Sequence, residues 1–252
     1  MIRQLPLVVP FDPAQGRDDF QPAASNAVAL AALDGWRDWP NGRLMLVGPE
    51  GSGKSHLARI WAAEAGATLC RAADLAAHDL PGLAARDRVA VEDCTALAGD
   101  PAGERALFHL HNLLAERPGS RLLLTARTPP RNWGLRLPDL VSRMQAMALV
   151  RIEAPDDALL AAVLAKLFSD RKTPVAPATI PYLVARMDRS LAAAHDLAAR
   201  LDAMALAARR PVGPGMAGRI LRATRAALPD DTPPEDARFP GEPPDDDTGA
   251  PE

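Results

Sequence analysis

Short apolar runs alternate with stretches of helical spacing through the first part of the chain. Leu44-Met45-Leu46-Val47, Thr68-Leu69-Cys70, Arg88-Val89-Ala90-Val91-Glu92-Asp93, Arg121-Leu122-Leu123-Leu124-Thr125 and Leu149-Val150-Arg151-Ile152 each have the length and aliphatic content of a buried strand. Between them, Ala27 to Trp36, His56 to Ala65, Ala102 to Glu116 and Leu140 to Met147 place apolar residues at the spacing of a helix packed along one side. Strands that alternate with helices imply an α/β fold, a parallel five-stranded sheet with helices on both faces. Ser25-Asn26 precedes the first helix and is expected to cap it. Beyond Pro155 the strand signal stops. Asp156–Ser169, Pro177–Met187, Ser190–Ala208 and Met216–Ala227 are helical in period, with breaks at Pro174, Pro177 and Pro211–Gly215. Four segments follow: an extended N-terminal stretch 1–16 carrying Pro6 and Pro10, a sheet domain 17–154, a small all-helical domain 155–227 and a tail 228–252.

Charge sharpens the last boundary. The whole chain of 252 residues carries a net charge of −3, but residues 229–252 hold nine acids and one base (Arg238). That segment is rich in proline and acid and poor in large apolar groups, so it is expected to be disordered and solubilising. The two cysteines, Cys70 and Cys94, make no disulfide framework and sit in apolar strand-like runs, as buried reduced thiols do. No basic segment followed by an apolar one opens the chain, and no apolar run approaches transmembrane length, so a soluble cytoplasmic protein is expected.

The candidate chemistry lies after the first strand. Gly48-Pro49-Glu50-Gly51-Ser52-Gly53-Lys54-Ser55 fits G-x-x-x-x-G-K-[ST], between an apolar run and a helical one. Glycines in such a loop let backbone N–H groups turn inward around phosphate oxygens, and the helix N-terminus adds positive potential. Lys54 would reach the β and γ phosphates of ATP or ADP, with Ser55 ligating Mg²⁺ and His56 following it on the helix. Lysine is scarce: only Lys54, Lys166 and Lys172 stand among 29 basic residues, and one of them falls where a compact ammonium suits a phosphate. Glu92-Asp93 ends the third strand run, where one acid of a phosphate-loop ATPase holds Mg²⁺ and a neighbour activates water. Thr125, ending the fourth, is placed to hydrogen-bond the γ-phosphate or that water. His56, His109 and His111 show no metal-ligand spacing with cysteines or acids and read as structural.

The order of these pieces resembles the AAA+ ATPases, in the branch of the bacterial replication initiator DnaA and its regulator Hda. The resemblance covers roughly residues 17–226 and rests on Asp19-Phe20, Ser25-Asn26, the phosphate loop, Val91-Glu92-Asp93, Leu107-Phe108-His109 with Asn112, and Leu124 to Pro130. Val141-Ser142-Arg143 is similar to the family's arginine-finger helix, and Arg189-Ser190-Leu191 to its sensor 2 motif. The resemblance implies that Arg143 acts in trans on a neighbour's nucleotide and that Arg189 reaches the phosphates from the helical lid. Gln4-Leu5-Pro6-Leu7 is similar to the family's sliding-clamp motif, in which Gln4, Leu5 and Leu7 would fill an apolar pocket as an extended peptide. DnaA continues into a helix-turn-helix DNA-binding domain, whereas here Ala227 leads into the acidic tail, so no sequence-specific DNA binding is expected.

What the resemblance implies is a regulator, able to self-associate, that joins the DNA polymerase sliding clamp and promotes hydrolysis of ATP held by a DnaA-type initiator. Glu92 stands where the family commonly has aspartate, and Arg127 where DnaA has aspartate, so weak hydrolysis of the chain's own nucleotide is implied. The alternatives are a stand-alone phosphate-loop ATPase of the helicase-loader kind, a nucleotide kinase, and a binding adaptor with a vestigial nucleotide site.

Overall fold

The computed structural model describes residues 16–226. Gln4, Leu5 and Leu7 and the acidic stretch 229–252 lie outside the described residues. Five strands, β1 (Arg43–Val47), β2 (Thr68–Arg71), β3 (Arg88–Glu92), β4 (Arg121–Ala126) and β5 (Ala148–Arg151), pair in the order β2-β3-β4-β1-β5. Every pairing is parallel, with Leu46 beside Thr125 and Val150, so all C-terminal ends share one edge. The five residues of β1 are all buried, which is why the run reads as continuously apolar after Arg43 and not as alternating.

Side chains alternate between the two faces. Met45, Val47, Val89, Val91, Leu122 and Leu124 pack with Leu107, Leu110 and Leu114 of α4 (Pro101–Ala115) and Leu140 and Met144 of α5 (Pro138–Gln145). Leu44, Leu46, Ala90 and Leu123 face the other way, against Leu33 of α1 (Ala27–Asp34) and Leu57 and Trp61 of α2 (Lys54–Ala65). Trp61 stacks on Trp39 at 5.1 Å between ring centroids and meets Trp36 edge-on at 6.4 Å. A third core joins α6 (Asp157–Asp170), α7 (Thr179–Val184), α8 (Leu191–Ala208) and α9 (Pro214–Ala226). These helices are fastened to the sheet side by Leu191 N–H donating to Gly51 O (2.7 Å) and a Lys166–Asp19 ion pair (3.0 Å).

Several details differ from the sequence expectations. Asn26 does not cap α1 with its side chain; it is buried, accepts from Ala23 N–H (2.8 Å) and donates to Gln21 O (3.0 Å), closing the turn ahead of the helix. The first helix ends at Asp34, and Trp36–Asp38 form a 3₁₀ turn. The third strand stops at Glu92 because Asp93 adopts a left-handed backbone (φ +56°). Cys94 therefore lies in the 3₁₀ turn Cys94–Leu97 and not in a strand; both cysteines are buried and free. A short helix not anticipated from the sequence, α3 (Leu80–Ala84), carries Pro81 in its first turn, where proline is tolerated. No helix among the described residues is long and apolar enough to cross a membrane.

Candidate functional site

The phosphate loop leaves β1 and enters α2 on the shared C-terminal edge. Two of its glycines are required by geometry. A Cβ on Gly48 would sit 2.3 Å from Ile152 O, and one on Gly51, whose φ is +70°, would sit 2.4 Å from Ser190 Cβ. The first glycine lets the end of β5 close against the loop, and the second lets the start of α8 do so. Lys54 Nζ donates to Gly48 O (2.7 Å) and Pro49 O (2.6 Å), folded back on its own loop. Burial, and after it the Arg127 guanidinium, pulls the Lys54 ammonium below its ordinary pKa, with Asp93 and Glu50 acting the other way. Ser52 is buried and donates to Pro49 O (2.8 Å), holding the bend.

Beside the loop, Glu92 and Thr125 are buried at the ends of β3 and β4 and fall on the α2 side by strand parity. Thr125 Oγ1 accepts from the Asp93 N–H (3.0 Å), bracing the left-handed turn at that acid. Thr95 Oγ1 accepts from the Arg127 N–H (2.9 Å) in the same way. The Arg127 guanidinium then reaches back, 2.8 Å from Glu50 of the loop and 3.7 Å from Asp93. Sequence reasoning noted Arg127 only as a departure; in the structure it is a cation tying the loop to the acidic turn.

A cleft of about 550 Å³ opens from the loop toward the C-terminal helices, and Lys54, Ser55, His56, Glu50, Gly51 and Gly53 line it. Its apolar wall is Phe20, Leu159, Val163, Leu167 and Leu191, and Phe20 meets His56 edge-on at 5.4 Å. Lys166 and His195 complete it from α6 and α8. Lys166 bridges Asp19 and Asp170, 3.0 Å from each, and holds the Asp19 carboxyl below its ordinary pKa. Neither residue was anticipated, although the scarcity of lysine that marks Lys54 also marks Lys166.

Two expected site residues lie elsewhere. Arg189 does not line the cleft; it is exposed and pairs with Asp157, while its neighbours Ser190 and Leu191 touch the loop. Arg143 is exposed on α5, beside residues that begin β1 and β4, at the opposite edge of the sheet from the loop. Its guanidinium lies 5.6 Å from the Phe108 ring centroid.

The residues fit a hard divalent cation. Glu92 is 8% exposed with Oε1 lacking a hydrogen-bond partner among the described residues, an oxygen that a bound ion or its water would satisfy. Ser55 stands on the cleft and Asp93 is half-exposed beside Glu92. No cluster of three metal-ligating side chains occurs among the described residues, so such an ion would lean on water and phosphate oxygens. Burial raises the Cys70 thiol to about 11 and Cys94 higher still, which leaves neither as a nucleophile.

Sheet order, loop and appended helices make this the α/β fold of AAA+ modules. Within that class its fold is like that of DnaA. It is similar to domain III of the replication initiation protein DnaA from Thermotoga maritima (TM-score 0.71, 18% identity, covering 85% of this chain and 98% of that one). It is also similar to AMPPCP-bound DnaA from Aquifex aeolicus (TM-score 0.64, 17% identity, 75% of this chain and 65% of that one). The AAA domain of FIGL-1 in complex with ADP is a further likeness (TM-score 0.59, 16% identity, 82% of each chain). At these identities the likeness is one of fold. No known family profile matches the sequence.

Proposed function

We propose that this chain binds ATP or ADP with Mg²⁺ and regulates replication initiation, stimulating hydrolysis of ATP held by a DnaA-type initiator while attached to the sliding clamp. The observation that carries this reading is the division of the machinery between two edges of one sheet. Lys54 and its loop occupy the C-terminal edge, and the exposed Arg143 occupies the other. A guanidinium across the sheet from its own loop is useless to its own nucleotide and available to a neighbour's.

On nucleotide binding, Lys54 exchanges the Gly48 and Pro49 carbonyls for phosphate oxygens, and the N–H groups of the loop and the first turn of α2 take the rest. Ser55, Glu92 and Asp93 would hold Mg²⁺, which neutralises charge on the phosphates. The adenine would lie against Phe20 and the apolar residues of α6 and α8. Arg189 would exchange Asp157 for the phosphates if the helical lid tightened. Weak intrinsic turnover follows from Arg127, which engages Asp93 and Glu50 where an attacking water needs a free carboxylate. Gln4, Leu5 and Leu7 would supply the clamp contact. The setting is cytoplasmic, self-association uses the same two edges, and no sequence-specific DNA contact is required.

Two measurements test the reading. Saturating ATP or ADP should raise the melting temperature of the native protein and leave that of Lys54→Ala unmoved. In single-turnover assays with DnaA preloaded with labelled ATP and clamp loaded on DNA, the native protein should accelerate phosphate release. A trans-acting arginine contributes roughly 10³–10⁵-fold, so Arg143→Ala should lose the stimulation and Arg143→Lys should not restore it. Full stimulation by Arg143→Ala would reject the mechanism.

A further inference from the structure

A second cavity, of about 510 Å³, lies at the N-terminal edge of the sheet, enclosed by the residues that begin β1 and β4 and by α4 and α5. Arg43, Arg117, Arg121, Arg143 and His111 line it, and no carboxylate does. Arg43 is 4% exposed, and the groups it donates to are neutral oxygens: Gly42 O (3.1 Å), Ser120 O (3.3 Å) and Ser120 Oγ (3.2 Å). Burial, with Arg121 adding repulsion, pulls the Arg43 guanidinium down to about 10. Arg121 donates to the carbonyls of Trp36, Arg37, Gly119 and Ser120. Among the described residues Arg117 alone of these arginines has an acidic partner, Asp87 at 2.6 Å, and both ends of that pair are solvent-exposed. His111 is 8% exposed and its Nδ1 has no hydrogen-bond partner among the described residues.

A buried guanidinium without a counter-charge is costly, and Arg43, Arg121 and Arg143 around one cavity repel each other. A multivalent anion would relieve both. Guanidinium groups match phosphate oxygens bidentately, and several in one small cavity suit an ion that concentrates its charge in a few atoms. An acidic peptide would have to bring its backbone and side-chain stems into the same volume.

We propose that this cavity is a binding site for a small phosphate polyanion of the diphosphate class, separate from the phosphate loop. Arg43 and His111 form its floor and Arg143 its rim. The inference stands on the cavity alone and holds whether or not Arg143 acts on a partner. His111, flanked by Arg43 and Arg143 with Arg117 and Arg121 on the same walls, would gain a proton as the anion neutralises them.

The experiment is calorimetric titration of the full-length Lys54→Ala protein, which disables the loop, with inorganic pyrophosphate as the probe. One equivalent should bind, with affinity falling steeply as salt rises. Loss of one charge-assisted contact in Arg143→Ala should weaken binding about tenfold or more. His111→Leu should remove the share of proton uptake that His111 supplies, read as a difference from the parent protein when buffers of different ionisation enthalpy are compared near pH 6, since protons shed by pyrophosphate itself are common to both. ADP as a second ligand distinguishes a free polyphosphate from the phosphate tail of a nucleotide, since only the latter makes ADP the tighter ligand. Absence of binding to Lys54→Ala overturns the inference, as does unchanged binding in Arg143→Ala. So does displacement of pyrophosphate by lower concentrations of an oligo-aspartate peptide or an oligonucleotide.

Discussion

Glu104 offers the sharpest test of how Arg143 is positioned. It sits in the first turn of α4, is 1% exposed, and aims its carboxylate at the start of α5. Oε2 accepts from Arg136 N–H (2.9 Å) and Leu137 N–H (2.8 Å), and Oε1 lies 3.1 Å from the same Arg136 N–H. Those donors precede Pro138, the first residue of the helix that carries Arg143. Glu104→Ala strands two part-buried N–H groups, on the exposed Arg136 and the half-buried Leu137. At about 1 kcal/mol for each donor that water can partly reach, the loss is about 2 kcal/mol. For a chain of this size each kcal/mol moves the melting temperature by roughly 2–4 °C, so a fall of about 4–8 °C is expected. Glu104→Gln keeps one acceptor oxygen and should lose less than half as much. Both variants should retain nucleotide-dependent stabilisation, because the loop lies at the far edge, while stimulation of a partner's hydrolysis declines with the freedom gained by α5. Differential scanning calorimetry with and without ADP reads both quantities. A Glu104→Ala protein that melts within about 2 °C of the native one would refute the argument, since that is less than 1 kcal/mol.

Three further outcomes are expected. Gly51→Ala puts a methyl group against Ser190 and an L-residue at φ +70°, so it should lower the melting temperature and weaken nucleotide stabilisation together; unchanged values in both would show that α8 does not rest on the loop. Burial first, then Arg43 and Arg143, depresses His111 to about 4 from its ordinary 6.5, so its contribution is fully present above pH 6.5 and disappears as pH falls toward 4. The 2.5-unit difference amounts to about 3 kcal/mol at most. The half-buried His195 is depressed in the same direction, so acid denaturation profiles of His111→Leu should be shallower across this window without becoming flat. Gln4→Ala combined with Leu7→Ala should remove clamp binding while leaving ADP affinity intact; surface plasmon resonance on immobilised clamp checks it, and normal binding by the double variant would dismiss the motif.

The sheet was legible because its strands are short, continuously apolar and separated by helical spacing, so strand ends fell within a residue or two of the observed ones. The loop was legible because its glycines and lysine are fixed by local chemistry. Local patterns failed where side chains serve distant backbone. Asn26 reads as a helix cap, yet it is drawn into the turn before the helix. Glu104 lies on the apolar stripe of α4 with Leu107, His111 and Leu114, and a carboxylate on such a stripe is a signal that something across the core needs an acceptor. The Arg127–Glu50 pair and the Lys166–Asp19 bridge exist only once strands and helices far apart in sequence have been brought together. No spacing rule could have placed them.

The tryptophans behind the loop make the protein its own optical instrument. Trp61 belongs to the helix that begins at Lys54, and its indole lies between those of Trp36 and Trp39. Its Nε1 is buried and has no partner among the described residues, whereas that of Trp39 is bonded to Ala32 O at 2.7 Å, so the two rings sit in different electrostatic surroundings. The fourth indole, Trp133, is bonded to Thr128 O across the sheet and can be replaced by phenylalanine to remove its background. Any rotation of α2 as phosphates enter the loop alters the overlap of the stacked pair, and with it the emission intensity. Intrinsic fluorescence would therefore report, without a label, any ligand of the loop that turns α2.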